Sequence, residues 1–351
     1  MIPAEPSKRT PLTRKTTAPT VSPPLATEQV RIGILSNRRA GQSDKQLPRL
    51  RSFLAAHPEV MHVETNAAED VPEVLTDLAS QDVGLLMVYG GDGTLQHILT
   101  EILGRRRFGD RIPMIAPLRG GSTNLTALEI GTQRDPIKGI ANIIKVMEAG
   151  RLGERVCPRH VLRLRSKRGD LDEYGMIFGT GTVYNAVELV QRSFPNGRAQ
   201  GVFGATVVMG KMLFRRALHK TKTDEEKYFR EKVQILLDGK PVNQEEFLLV
   251  ISSTLHHIFL NIRPFWGQEP APVRFTCTAA GAKRFALAIP RLLSGKPGGT
   301  VTAENGYTSQ NLHQVELRMD CGFVVDGELI APEEGRILTI TADDRLDFVR
   351  V

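Results

Sequence analysis

Three short segments carry residue types from which a phosphate site is built. Gly90–Thr94 reads GGDGT, Gly120–Asn124 reads GGSTN, and Ser36–Gly41 reads SNRRAG. Glycine lets backbone N–H groups approach a ligand with no Cβ in the way, and a helix N-terminus behind it adds free amides and partial positive charge. Phosphate oxygens suit that environment. Asp92 is the odd member of the GGDGT segment, because a carboxylate repels phosphate unless a cation intervenes. It makes sense as a magnesium-linked residue or as a proton acceptor for an attacking hydroxyl. The plainer alternative is a glycine-rich turn with Asp92 as a helix cap. No G-x-x-x-x-G-K-[ST] sequence occurs, so an ordinary P-loop is excluded.

The elements around these segments are those that bring loops to one edge. Val30–Leu35, Val60–Glu64, Val83–Tyr89 and Ile112–Pro117 are short apolar runs, read as buried strands. Between them, apolar residues recur at helical spacing over Asp44–His57, Val71–Ala79 and Thr94–Leu103, and again over Pro136–Ala149. Strands alternating with helices predict an open parallel α/β sheet, whose ligands bind at the carboxyl ends of the strands. The three glycine-containing segments leave such ends.

From about Arg155 the pattern changes to β-branched or alternating runs. These are Arg159–Ser166, Glu173–Val183, Lys232–Gly239, Phe247–Ser253, Pro272–Ala279, His313–Met319 and Gly335–Thr341. They predict an antiparallel, sandwich-like β domain, interrupted by helices over Thr206–Leu218 and Lys283–Leu293. The chain therefore divides into a tail (1–29), an α/β domain (30–152) and a β-rich domain (153–351). The tail is rich in Pro and Thr and lacks hydrophobic periodicity, which predicts disorder; no apolar run follows its basic residues, so a secretory signal is not expected.

A fourth segment, VDGE (Val325–Glu328), completes a pattern. Alone it reads equally well as a β-turn. Taken in order, NRRAG (Asn37–Gly41), GGDGT, PLRGGSTN followed by LTALEIG, and VDGE resemble the diacylglycerol kinase catalytic domain family of soluble bacterial type. Its wider superfamily contains sphingosine and ceramide kinases and, more distantly, NAD kinases. The resemblance runs over nearly the whole chain from Val30 onward. It implies an active site in the cleft between the two domains, ATP with Mg2+, and a lipid substrate. It places Asn37, Arg38, Gly41, Gly90, Gly91, Gly93, Thr94, Gly121, Ser122, Thr123 and Asn124 around the nucleotide. Asp92 would meet the metal through Mg-ATP, and Asp92, Asp326 and Glu328 are the catalytic candidates. There are departures. Arg38 stands where proline is usual, PLRGGSTN is two residues longer than the family pattern, and Leu125 replaces a frequent aspartate. Phe265–Phe275 lacks the aspartates that hold a structural magnesium in soluble bacterial members, so that metal is not expected. Two alternatives remain on the same scaffold: an NAD kinase-like enzyme, although Asn124 is not followed by the glutamate of the usual Asn-Glu pair, and a nucleotide- or lipid-binding module without catalysis.

Composition bounds the partners. The chain has 41% hydrophobic and 24% charged residues, and no apolar run reaches the ~20 residues of a membrane span. Three scattered cysteines fit a reducing cytoplasm better than a disulfide scaffold. Few aromatics and no recognisable motif argue against nucleic-acid binding. The net charge of +7 is concentrated: Leu189–Thr223 holds seven basic residues and no acidic one, leaving 39 of each elsewhere. Beside the apolar stretch Val202–Phe214, this segment predicts a peripheral contact with an anionic membrane through Lys211, Arg215, Arg216 and Lys220. A solvated basic face is the alternative. His256 and His257 read as packing residues, since adjacent strand residues point to opposite faces.

Overall fold

The computed structural model describes residues 30–41, 43–121, 123–193, 210–211, 230–258 and 262–351. The tail, the helix expected over 206–218 (apart from 210–211) and most of the basic segment lie outside the described residues.

Four parallel strands form the first sheet: β1 (Arg31–Asn37), β2 (Met61–Thr65), β3 (Val83–Gly90) and β4 (Met114–Arg119), in the order 2-1-3-4. The apolar run of β3 has a simple cause. Leu86 and Val88 pack on one face with α2 (Val71–Ser80) and α3 (Asp92–Leu99). Leu85, Met87 and Tyr89 pack on the other with α1 (Ser43–Leu54) and α5 (Pro136–Glu148). A strand covered on both faces has no side to leave polar. Truncating one of its fully buried leucines, for example Leu86→Ala, costs about 2–5 kcal/mol. Between β4 and α5 lies the short α4 (Leu125–Ile130). Capping is local at α5, where the Asp135 carboxylate accepts from Ile137 N–H at 3.0 Å and Pro136 opens the helix.

Two later strands enter the same sheet. Arg345–Val349 lies parallel to β4, with Phe348 opposite Ile115, and antiparallel to Val156–His160. The α/β sheet thus has six strands, two of them from beyond residue 152. The run Arg159–Ser166, expected as one strand, breaks at Val161. Its first part ends the α/β sheet, and Leu162–Ser166 enters the second. Apolar alternation is the same in both sheets, so the sequence could not mark the crossing.

The second domain is a twelve-stranded antiparallel network. Among the described residues, its two halves are joined in the strand ladder where Glu231 and Lys232 pair with Phe247 and Glu246. Their inner faces share one core, with Leu162, Ile235, Leu317 and Leu338 from one half and Phe178, Val250, Phe275 and Phe323 from the other. The sheet therefore curls into a sandwich-like body. The runs Tyr307–Leu312, Phe323–Val325 and Glu328–Ile330 are strands that the sequence pattern did not single out.

Candidate active site

In the order 2-1-3-4 the chain reverses between β1 and β3, which is where an open α/β sheet leaves a crevice. The loops after β1, β3 and β4 meet there. Asn37 at the end of β1 donates its Nδ2–H to Thr94 Oγ1 at 2.8 Å. The loops after β3 and β4 touch backbone to backbone. Gly120 N–H donates to the Gly90 carbonyl at 3.2 Å. A Cβ on Gly121 would stand 2.5 Å from Gly91 Cα, so only glycine lets these chains approach. Asn124, with φ 52°, closes the second loop on itself: its Oδ1 accepts from Gly121 N–H at 2.8 Å and its Nδ2 donates to Gly121 O at 2.7 Å. A small cleft is lined by Gly90, Gly91, Asp92, Pro117 and Asn124.

Asp92 is buried at the start of α3. Its carboxylate accepts from Leu125 N–H at 3.1 Å and Thr126 N–H at 3.3 Å. It therefore caps α4, a helix 33 residues downstream, and welds the GGDGT loop to the third segment. Burial raises its carboxyl above the ordinary aspartate value, and those amides partly offset the rise.

Asp326 approaches from the second domain. It sits in the turn between Phe323–Val325 and Glu328–Ile330, in the left-handed region with φ 48°. Its carboxylate accepts from Met176 N–H at 2.8 Å and Ile177 N–H at 2.9 Å. Burial pushes this carboxyl well above its ordinary value, and the nearby charges of Asp92 and Glu328 push it further. Glu328 is exposed, with its carboxylate over Gly93; any Cβ at 93 would collide with it. Three carboxylates from two domains thus converge on the glycine-rich loop.

Two polar clasps hold the domains on this geometry. Gln96 and Thr100 of the helical segment after GGDGT donate to Glu173 Oε2 at 2.9 and 3.0 Å. On α4, Glu129 takes the Nδ1 atoms of His256 (3.0 Å) and His257 (2.8 Å), one on each carboxylate oxygen. Burial pushes the Glu129 carboxyl up, but the hydrogen bonds from His257 and His256 outweigh it, and the net result lies below the ordinary glutamate value. These clasps were not found from sequence. The two histidines read there as packing residues, and no spacing rule links residue 129 to 257.

The other expected site residues are placed less uniformly. Arg38 is exposed and its guanidinium lies 3.5 Å from Glu64, which Arg51 grips with two bonds of 2.6 Å. Gly41 is exposed at the far end of its loop, and Thr123 is half-buried beside Asn124. Ser122 lies outside the described residues, as do Arg215, Arg216 and Lys220; Lys211 is exposed. No helix among the described residues is long and apolar enough to cross a membrane.

Residues 31–151 match the diacylglycerol kinase catalytic domain. This segment is similar to that family. The match covers the three glycine-containing loops and stops short of Asp326. Solved structures extend the likeness of fold to both domains. One, from Bacillus anthracis str. Sterne and provisionally named a diacylglycerol kinase, is 16% identical with a TM-score of 0.64, over 93% of this chain and 99% of that one. Another from the same organism, also provisionally so named, is 17% identical with a TM-score of 0.62 over 93% and 99%. A third, described as a diacylglycerol kinase of that organism, is 14% identical with a TM-score of 0.58 over 93% and 98%. No curated protein matches the chain.

Proposed function

We propose that the protein is an ATP-dependent lipid kinase that phosphorylates a hydroxyl of a lipid such as diacylglycerol or a sphingoid or ceramide-type lipid. The observation that carries this reading is the convergence of Asp92, Asp326 and Glu328 on the Gly90–Thr94 loop of a kinase-family domain. Phosphates would lie against the backbone of Gly91–Thr94, with Asn124 and Asn37 fixing the flanking loops. The lipid hydroxyl attacks the γ-phosphorus in line, the new O–P bond forms as the bond to the β-phosphate oxygen breaks, and the hydroxyl proton passes to a carboxylate. Asp326 suits that last role, since a raised pKa makes a carboxylate a better base near neutral pH. Catalysis is otherwise positioning and charge stabilisation.

The donor set also fits a magnesium ion delivered with the nucleotide. Glu328 is exposed over the phosphate loop, and two buried carboxylates stand behind it. Among the described residues no group of three His, Cys, Asp or Glu side chains closes a metal site by itself, so phosphates and water would complete the shell. When bound, the ion neutralises phosphate charge; Glu328 would hold it, with Asp92 and Asp326 facing it.

The test is phosphoryl transfer from labelled ATP by purified protein to diacylglycerol, ceramide, a sphingoid base and NAD in turn. Label in a chloroform-extractable product is expected. Label in NADP, or in nothing, contradicts the reading. Peripheral work at an anionic membrane belongs to the same proposal. Charge reversal at Arg215, Arg216 and Lys220, with Lys211 beside them, is expected to weaken binding to anionic vesicles.

A further inference from the structure

The helix Phe285–Ser294 (FALAIPRLLS) is rich in apolar residues yet largely uncovered. Eight of its ten residues are apolar, but Ala288 alone is fully buried. Phe285, Ala288 and Leu292 face a small cluster with Trp266, Val301 and Tyr307. The opposite side presents Ala286, Pro290, Leu287 and Leu293. Leu287 is 67% exposed and Leu293 46%; these are two of the five exposed large hydrophobics among the described residues. A helix with apolar residues on its outer side as well as its core side normally meets a further apolar partner there. Here half of it is left for something else.

The charge around it says what. Lys283 and Arg284 precede the helix, Arg291 lies on it, Lys296 follows it, and all four are exposed. From Pro270 to Ala303 there are five basic residues and no acidic one. Exposed leucines rimmed by cations match the boundary between acyl chains and anionic headgroups. The helix is also tied to the segment Arg263–Phe265. Arg263 N–H donates to the Leu293 carbonyl at 3.0 Å, and Gly295 packs on the carbonyls of Arg263 and Phe265. A few residues upstream, His256 and His257 hold Glu129 of α4.

We propose that Phe285–Ser294 is a membrane-docking helix that seats Leu287 and Leu293 in an anionic bilayer, with Lys283, Arg284, Arg291 and Lys296 on the headgroups. It is separate from the 211–220 segment, and it stands whether or not the chain transfers phosphate. The experiment is flotation of full-length protein with phosphatidylcholine vesicles, with and without phosphatidylglycerol, without ATP. Wild type binds the anionic vesicles. Leu287→Ser with Leu293→Ser lowers the partition coefficient at least ~10-fold, because two buried leucine side chains are lost from the bilayer. Lys283→Gln with Arg284→Gln lowers it ~5-fold per charge on anionic vesicles only. Both side chains of the leucine pair are exposed, so the melting temperature stays at the wild-type value. Unchanged vesicle binding in the leucine variant overturns the proposal, as does failure of wild type to bind. A wild-type dimer in lipid-free buffer that the leucine variant converts to monomer, with vesicle binding intact, assigns the face to a second copy and also overturns it.

Discussion

Asp92 and Asp326 look alike at first sight. Each is buried, each accepts two backbone N–H groups, and burial raises both carboxyls. Their surroundings separate them. Asp92 belongs to the α/β edge and holds the first turn of α4, so it shapes the loops after β3 and β4. Asp326 belongs to the β edge, sits at a left-handed turn position, and carries the added repulsion of Asp92 and Glu328. A carboxylate raised by neighbouring carboxylates is relieved both by a proton and by a cation. In the proposed reaction this contrast casts Asp326 as the chemical partner and Asp92 as the architectural one.

Substitutions can break or sharpen this contrast. The largest effect is expected from Asp326→Asn, a loss of at least ~100-fold in turnover, the lower end for a general base. Its melting temperature at neutral pH should fall less than that of Asp92→Asn, because the loss of one of the two acceptors at Met176 and Ile177 is offset by removing a buried charge that Asp92 and Glu328 repel. Asp92→Asn is expected to lower rate and stability together. It weakens an N-terminal cap, worth about 0.5–2 kcal/mol, and loosens the Gly90–Thr94 loop. If Asp92→Asn left stability untouched while Asp326→Asn lowered it, the two roles would be exchanged. Glu129→Gln, at the inter-domain clasp, should cost about 1 kcal/mol by replacing charged hydrogen bonds with neutral ones.

The smallest effect is a difference of pH slope. Glu129 has a lowered pKa in the folded protein, so its stabilisation is full above the ordinary glutamate range and is lost as pH falls through the lowered value. Asp326 runs the other way. Its folded pKa is raised, so stability falls as pH climbs from the ordinary aspartate range towards that raised value. Denaturant melts across pH should show a flatter acid limb in Glu129→Gln and a flatter neutral limb in Asp326→Asn.

The α/β half was legible because its information is local. The run Val83–Tyr89 became β3 almost residue for residue, and Gly90–Thr94 and Gly120–Asn124 left adjacent strands as the alternation of elements required. What escaped is long-range. Nothing near Asp92 announces that it caps a helix starting at Leu125. Nothing near Arg345–Val349 marks a return to the first sheet, since a buried strand reads the same in either domain. The Glu129 clasp depends on a contact across 128 positions, beyond any periodicity. The Asp-Gly of VDGE was visible both as a turn and, through the resemblance, as a catalytic candidate. The fold adds the two amides of Met176 and Ile177 that make Asp326 a held, buried carboxylate.

The central claim is that Asp326 takes the proton of a lipid hydroxyl during phosphoryl transfer. Its most direct test is the pH dependence of kcat/KM for labelled-ATP transfer to a lipid acceptor, in wild type and in Asp326→Asn. The account predicts a wild-type rate that climbs with pH through a value above the ordinary aspartate range, and a variant with little activity and no such limb. Equal rates, or the same acid limb in both proteins, would contradict it.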